Sequence, residues 1–171
     1  MRAILNATGT TAILVTHDQH EAFALADEIV VMKSGVIEQW DTPYNLYHRP
    51  RTRYVADFVG QGVFVRGVAE PGGRLRTELG ELAGDTPIAV APGAAVDVLL
   101  RPDDIVHDDE SPWRAQVASK AFRGAEFLYT LALESGTRVM SVVPSHHNHA
   151  LGERIGIRLA IDHVVAFPAE G

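Results

Sequence analysis

The sequence has 171 residues, of which 46% are hydrophobic and 22% are charged, so the chain can bury a core and is not expected to be disordered throughout. The net charge is -7, and neither residues 1–60 nor residues 61–171 have an excess of Lys and Arg, which argues against nucleic acid as a partner. Cysteine is absent, which excludes disulfides and thiolate metal sites, and no apolar run approaches the ~20 residues that span a bilayer.

The first part of the chain alternates between helix and strand signals. A helix over residues 1–8 is expected to end near Gly9, and the apolar run 12–15 predicts a strand buried on both faces, as in a parallel sheet. Asp18 is the expected N-cap of the next helix, which has its apolar residues on one face up to Ile29. These features predict an α/β segment.

A hairpin and two short helices are expected to follow. Strands over 28–33 and 36–40 flank a two-residue connection, Ser34-Gly35. A short helix is expected to start at Thr42-Pro43, because proline is favoured at the first helical position. A second helix is expected over 52–59.

The composition changes near Gly60, and the rest of the chain predicts β structure. Short runs rich in Val, Ile, Leu and Phe are separated by Gly, Pro and Asp, a pattern typical of a small barrel or sandwich. The clearest hairpin turns at Ser135-Gly136. The expected strands are 63–70, 74–79, 87–90, 95–101, 113–121, 126–134, 137–143 and 154–160.

The N-terminal motifs resemble a known family. The segment 13–22, with the sequence ILVTHDQHEA, resembles the switch-histidine segment of ABC-transporter ATPases that power binding-protein-dependent importers. The family usually has an acidic residue where this chain has His20. Further motifs typical of the end of that ATPase domain are Ala26 to Met32, Ser34-Gly35, Glu38-Gln39, Thr42-Pro43, Tyr47, Pro50, Val55-Ala56 and Phe58 to Gly60.

The resemblance continues into the second half. The segment 100–105, LRPDDI, is similar to the signature of the transport-associated oligonucleotide-binding-like (TOBE) domain, an accessory β-barrel of these ATPases. The segment 122–126 corresponds to a glycine-centred strand connection of that domain. The ending, 144–167, looks closest to the iron(III) importer branch.

The resemblance implies a mainly β fold. An OB-like β-barrel regulatory domain over residues 61–171 would follow a partial α/β remnant of the P-loop nucleotide-binding domain over residues 1–60. The whole ATPase would use ATP and Mg²⁺ and form a homodimer. It would lie on the cytoplasmic face of the inner membrane, held there by transmembrane permease subunits without inserting itself.

The motifs that bind ATP are missing from this sequence. A P-loop needs a Gly-Lys pair, because its backbone amides and Lys hold the phosphates, and the chain contains no such pair. It also lacks an LSGGQ-like signature and a hydrophobic strand ending in Asp-Glu. The run 96–100 followed by Asp103-Asp104 imitates such a strand, but Pro102 intervenes and the context is β-rich. We therefore expect no ATPase activity from this chain alone.

His17 is the one candidate catalytic residue. The resemblance implies that it acts as the switch histidine of the parent enzyme, contacting the γ-phosphate and the attacking water. The alternative is a helix-entry histidine without chemistry. Because the run 12–15 would normally be covered by missing strands, we expect either disorder before about residue 30 or a homodimer that buries this segment.

A local histidine cluster offers a second candidate site. His146, His147 and His149 lie close together in sequence, and His107 or the carboxylates of 108–110 could add ligands for a metal or effector. The alternative, which we favour from the sequence, is a polar loop at the end of the barrel with no metal bound.

Other conspicuous side chains are expected to be structural. Trp40, Tyr44, Tyr47 and Phe58 are predicted to pack between the short helices and the hairpin, and Trp113 at the core or rim of the barrel. Arg101 and Asp104 are predicted to set a turn after Pro102.

Three functions remain open from the sequence. The first is the regulatory and dimerisation end of an ABC importer ATPase, with iron(III) or another inorganic ion as the expected cargo and sugars, polyamines, sulfate or molybdate as alternatives. The second is a barrel that senses a small ligand, either a metal or an oxyanion. The third is a free-standing interaction module from a truncated gene.

Overall fold

A computed structural model describes residues 2–83 and 90–169 of the chain. The chain divides into two compact units, Met1–Gly60 and Gln61–Gly171. Buried apolar side chains form one cluster in each unit. Among the described helices, none has the length and apolar character needed to cross a bilayer.

The described part of the first unit contains four short helices and one hairpin. Side chains cap three of the helices: Asp18 accepts hydrogen bonds from the His20 and Glu21 amides, and Thr42 and Thr52 each accept one from the amide three residues later. The elements are α1 (Arg2–Thr8), α2 (Gln19–Leu25), β1 (Ile29–Lys33), β2 (Val36–Asp41), α3 (Pro43–His48) and α4 (Arg53–Phe58).

The predicted hairpin is confirmed, with β1 antiparallel to β2. Ser34 and Gly35 both have positive φ, 49° and 81°, which is the backbone of a two-residue type I′ turn. Met32 pairs with Ile37 and Val31 with Gln39, so the register shifts between Val31 and Met32. The tight turn therefore joins strands that contain a bulge.

The core of the first unit is small and contains one buried amide. Val31, Leu46, Val55 and Val59 are all 4% exposed or less. Gln39, at 2% exposure, donates from Nε2 to the Arg49 carbonyl at 3.2 Å and accepts from the Arg51 amide at 2.8 Å. Gln39 thus satisfies the backbone between α3 and α4, where Pro50 cannot donate.

The buried strand predicted at 12–15 is wrong. These residues have no regular secondary structure, and Ile13 and Val15 are each 93% exposed. The physical reason is the lack of a partner strand: the described strands of this unit are only β1 and β2, and they pair with each other. A strand buried on both faces needs neighbours on each edge. Of the elements expected for the P-loop α/β remnant over residues 1–60, this strand is therefore not present among the described residues, whereas the helix, the hairpin and the two short helices that follow it are.

The prediction for the aromatic residues was wrong at three of four positions. Tyr47 packs against the small core, but Trp40, Tyr44 and Phe58 are 59%, 58% and 44% exposed. Alternation along β2 explains Trp40, because its neighbour Gln39 takes the inward position. Trp40 instead donates from Nε1 to Glu28 at 3.0 Å.

The second unit is β throughout its described part. Its strands form two five-stranded antiparallel sheets, ordered β10-β9-β8-β11-β7 and β12-β6-β3-β4-β5. The strands are β3 (Val63–Glu70), β4 (Arg74–Thr77), β5 (Gly80–Ala83), β6 (Ala95–Leu100), β7 (Ile105–His107), β8 (Arg114–Phe122), β9 (Glu126–Ala132), β10 (Arg138–Pro144), β11 (Arg154–Leu159) and β12 (Val165–Pro168).

The first sheet curls until its two outer strands meet, giving a nearly closed OB-like barrel. At the meeting line, Ser141 Oγ on β10 donates to the Ile105 carbonyl on β7 at 2.5 Å. Nearby, the Val142 amide donates to the Pro102 carbonyl at 2.9 Å. We call this line between β7 and β10 the seam. These bonds satisfy backbone groups that would otherwise form an open edge.

The mainly β, OB-like prediction is thus confirmed. Both sheets contribute to one core, which includes Val65, Val98, Tyr129, Leu131 and Ile157. The hairpin of β9 and β10 turns at Gly136 as predicted. Strands β5, β7 and β12, of three or four residues, were not predicted, and the strand expected at 87–90 lies mostly outside the described residues.

Candidate functional site

Three histidines converge at one end of the seam. His107 ends β7, and His147 and His149 lie in the loop after β10. One ring nitrogen from each lies within 4.8 Å of the others. The ring centroids of His107 are 5.1 Å from His147 and 4.7 Å from His149. We call these three residues the histidine trio; imidazole nitrogens at such spacing are a ligand set for divalent transition metals.

The loop that carries two of the three histidines is held by the barrel core. The hydroxyl of Tyr129, which is fully buried, donates to the His147 carbonyl at 2.6 Å and accepts from the His149 amide at 3.0 Å. Lys120 Nζ donates to the His149 carbonyl at 2.6 Å and to Asn148 Oδ1 at 2.7 Å. The positions of His147 and His149 are therefore fixed by strands β8 and β9.

Carboxylates orient two of the three rings. Glu153 Oε1 lies 2.9 Å from His149 Nδ1, and Asp109 Oδ1 lies 3.0 Å from His107 Nε2. An ionised carboxylate only accepts, so each imidazole donates through that nitrogen, and in the neutral form of the ring the lone pair is on the other nitrogen. His149 Nε2 is buried and has no hydrogen-bonding partner among the described residues.

The charge state of the site follows from these contacts. The pKa of Glu153 is lowered, first by the hydrogen bond from His149 and then by the one from the Ala150 amide, so this group is an anion at neutral pH. The pKa of His147 is lowered by desolvation and by the neighbouring histidines His146, His107 and His149. The loop thus presents a neutral imidazole beside two carboxylates.

The histidine cluster predicted from the sequence and the observed trio overlap only partly. His147 and His149 lie in the trio with His107, which the sequence suggested as an added ligand. His146 is exposed and outside the trio, and its ring only contacts that of His147, at 4.3 Å. Tyr129 and Glu153 were missed, because nothing in their local sequence reveals that the barrel brings them to this loop.

The turn after β6 is built as the sequence predicted. The Arg101 amide donates to Asp104 Oδ2 at 2.7 Å, and the Asp104 amide donates to the Arg101 carbonyl at 3.1 Å. Arg101 is 3% exposed, and its Nη1 donates to the Gln61 carbonyl at 3.1 Å. Burial raises the pKa of Asp104 to about 6, more than the Arg101 amide lowers it. Both residues have structural contacts here.

The candidate switch residue lies at the start of a helix. His17 is exposed and directly precedes Asp18, the N-cap of α2. The next motif residue, Gln19, anchors this helix: its Nε2 donates to the Phe58 carbonyl, and its Oε1 accepts from the Gly60 amide at 2.9 Å. The motif therefore fixes α2 against the end of α4 and leaves the His17 side chain accessible to solvent.

The run 96–100, which in sequence imitates a strand ending in Asp-Glu, is part of β6 in the second sheet. β6 pairs antiparallel with both β3 and β12, so it does not end at the ligand-binding edge of a parallel sheet. Trp113 precedes β8 at 41% exposure and covers Gly80, where a Cβ atom would lie 3.0 Å from the indole. Trp113 is thus a rim residue.

Comparison with known proteins gives a family match within the second unit. Residues 98–167 match the TOBE domain family. The cytoplasmic molybdate-binding protein ModG, in a crystal structure with molybdate bound, matches 62% of this chain and 95% of its own with a TM-score of 0.52 and 15% sequence identity. At that identity the likeness concerns the fold alone.

Curated relatives cover both units. The spermidine/putrescine import ATP-binding protein PotA 2 of Pseudomonas aeruginosa is 38% identical over 149 residues, which is 80% of this chain and 41% of that protein. The PotA protein of Aliivibrio fischeri is 34% identical over 174 residues, 92% of this chain and 46% of its own length. The chain spans less than half the length of these relatives.

The names of the relatives correct one expectation from the sequence, the iron(III) importer branch. Their names describe importers of spermidine and putrescine, so the iron(III) branch expected from residues 144–167 is not supported. Neither unit alone makes up 92% of the chain, so the similarity extends over parts of both. Residues 98–167 therefore match the TOBE domain family, and over most of its length the chain is similar to spermidine/putrescine import ATP-binding proteins.

Proposed function

We propose that this chain is the regulatory and dimerisation region of an ATP-binding subunit of an ABC importer, and that it does not hydrolyse ATP itself. The observation that carries the proposal is the similarity to import ATP-binding proteins over parts of both units, together with the TOBE match. A barrel resemblance alone would not indicate import, because OB-like barrels serve many functions.

Nucleotide would be handled by the parent protein's ATPase core. The sequence of this chain contains no Gly-Lys pair and no LSGGQ-like signature, so the phosphate cradle and the partner clamp would have to lie outside it. In that parent, His17 would act as the switch histidine, polarising the attacking water toward the γ-phosphate of Mg²⁺-ATP. Its exposure in front of a capped helix is compatible with that role.

Dimerisation and membrane attachment follow from the same assignment. The parent subunits would pair on the cytoplasmic face of the membrane and contact transmembrane permease subunits. The exposed apolar residues Ile13 and Val15 are a surface that such an assembly, or the rest of the ATPase core, would cover. The cargo of the whole transporter would be a polyamine such as spermidine or putrescine, as the names of the relatives indicate.

A chimera tests the regulatory assignment. The matching C-terminal region of the Aliivibrio fischeri relative is replaced by this chain and reconstituted with its permease subunits. We expect spermidine uptake well above that of the ATPase core truncated at the same point. Uptake equal to that of the truncated core, from a chimera that assembles normally, would contradict the proposal. His17→Ala in the chimera is expected to lower ATP hydrolysis by roughly 10²-fold or more, whereas the neighbouring His20→Ala should not.

The cargo is tested separately in cells. Deleting the gene that encodes this chain is expected to reduce uptake of radiolabelled spermidine and to leave iron(III) uptake unchanged. Unchanged polyamine uptake would remove the cargo assignment without affecting the regulatory one.

A further inference from the structure

We propose that the histidine trio, His107, His147 and His149, binds one divalent first-row transition metal ion of the Zn²⁺ type. The ion would join β7 to the loop after β10, across the seam of the barrel. The proposal goes beyond the import role, and its test measures metal binding by the chain without reference to transport.

The three imidazoles of the trio are close enough together to be ligands of one metal ion. Three imidazoles with nitrogens within 4.8 Å of one another need only small side-chain adjustments to reach an ion. In a tetrahedral zinc site with Zn–N bonds of about 2.0–2.1 Å, the ligand nitrogens are roughly 3.3 Å apart. His147 is half-buried at the surface of the loop, so its ring has room to turn inward.

The carboxylates that contact the trio are placed as in known metal sites. Histidine ligands commonly donate their second ring nitrogen to a carboxylate, which fixes the tautomer and increases ligand basicity. Glu153 does this for His149 at 2.9 Å, and Asp109 for His107 at 3.0 Å. The two rings therefore have lone pairs available at the nitrogens that do not face a carboxylate.

One ring nitrogen of the trio has an unfavourable environment when no ligand is bound. His149 Nε2 is buried without a partner among the described residues, and a buried unsatisfied polar atom is uncommon in folded proteins. A metal ion would satisfy it. The rigid loop means that little conformational entropy is lost on binding, since Tyr129 and Lys120 already hold its backbone.

The surrounding charge favours a cation over an oxyanion. The carboxylates of Asp109 and Glu153 border the trio, and both would repel an anion. Nearby cationic side chains bind protein oxygens. The Lys120 ammonium donates to the His149 carbonyl and to Asn148, and the Arg114 guanidinium donates to the Asp109 carbonyl at 2.9 Å.

The test uses the untagged 171-residue chain after removal of metal by a chelator. Zn²⁺ binding is measured by isothermal titration calorimetry, and Co²⁺ is added separately to follow its visible absorption, which reports coordination geometry. We expect one ion per chain and a tetrahedral Co²⁺ spectrum. At a free Zn²⁺ concentration 100-fold above Kd, the Tm should rise by about 10 °C.

His147→Gln is the principal variant, because the described ring of His147 contacts other histidines without a hydrogen bond and its loss should leave the fold intact. We expect this variant to lose Zn²⁺ binding by at least 100-fold. His146→Gln, at the adjacent exposed position, is the matched control and should bind as the unmodified chain does. Glu153→Gln should weaken binding by about 10–100-fold through its effect on His149.

Three outcomes would overturn the proposal. The first is no Zn²⁺ or Co²⁺ binding by the unmodified chain. The second is equal loss of binding in His146→Gln and His147→Gln. The third is full binding by His147→Gln with an unchanged Co²⁺ spectrum. A wild-type ¹H–¹⁵N spectrum away from the loop is required of each variant, so that loss of binding is not confused with unfolding.

Discussion

The hydroxyl of Tyr129 donates a hydrogen bond to the backbone carbonyl of His147 at 2.6 Å. The same oxygen accepts from the His149 amide at 3.0 Å. One buried side chain on β9 thereby satisfies one carbonyl and one amide of a loop that has no regular secondary structure. The loop geometry at this end of the seam depends on the barrel core rather than on local sequence.

Tyr129→Phe should therefore destabilise the barrel more than a lost surface hydroxyl would. It leaves the part-buried His147 carbonyl and His149 amide without their partner, which costs about 1–3 kcal/mol. We expect the Tm of the second unit to fall by at least about 4 °C. Tyr54→Phe removes a hydroxyl from a weak, exposed contact 3.5 Å from the Met32 carbonyl and is the matched control. Equal small effects of both variants would show that Tyr129 does not hold the loop.

Asp104 gives a prediction for pH dependence. Its pKa in the folded protein, about 6, lies above the ordinary 3.8, so the folded state holds this proton more tightly than the unfolded chain does. The stability due to protonated Asp104 is fully present below about pH 4 and is lost as the pH rises through about 6. Above that pH Asp104 is ionised, and the desolvation of its carboxylate lowers the free energy of unfolding by an amount that no longer changes with pH.

The Asp104→Asn variant removes this titration. Between pH 3.5 and pH 7 the free energy of unfolding of the variant, relative to the unmodified chain, should increase by about 2–3 kcal/mol. Chemical denaturation at several pH values measures the difference, and Asp57→Asn, at an exposed position in the first unit, is the control. A difference that does not change with pH would mean that Asp104 is not buried as described.

Gln39 should stabilise the first unit through its buried amide. Gln39→Ala leaves the Arg49 carbonyl and the Arg51 amide without a partner and should cost about 1–3 kcal/mol. The fluorescence of Trp40, measured in a Trp113→Phe background, reports unfolding of this unit. Gln116→Ala, which removes a bond from an exposed amide to the Gly152 carbonyl, should have no comparable effect on that signal.

The exposed apolar run in the first unit predicts a protease-sensitive segment or an interface. Ile13 and Val15 are almost fully exposed, and such side chains favour association. We expect limited proteolysis to cut before about residue 30 in a monomer, and protection of this segment only when the chain is a dimer by light scattering. A proven monomer with a uniformly protected N-terminus would contradict both expectations.

Local signals in the sequence predicted most of the barrel. Strands with clear alternation, such as β3 and β9, and turns with glycine, such as Gly136, start and stop near the expected residues. Strands β5, β7 and β12, of three or four residues, were not predicted, and each forms by pairing with a neighbouring strand: β4, β11 and β6 respectively. That information comes from the tertiary structure, as does the closure of the seam through Ser141.

Two features could not be predicted from the sequence: the absence of a strand at residues 12–15 and the contacts that hold the candidate site. The run 12–15 has the composition of a buried strand, but a strand also needs partners, and the described chain does not provide them. The clustering of His147 and His149 was readable from their spacing. The roles of Tyr129 and Glu153 were not, because they arise from barrel register and loop contacts.

Native mass spectrometry of the purified chain, with and without Mg²⁺-ATP, tests the central claim most directly. The account predicts a dimer that takes up no nucleotide, because the chain has the assembly region of an import ATP-binding subunit without the phosphate-binding motifs. A stoichiometric ATP adduct, or a chain that stays monomeric at every concentration, would contradict it.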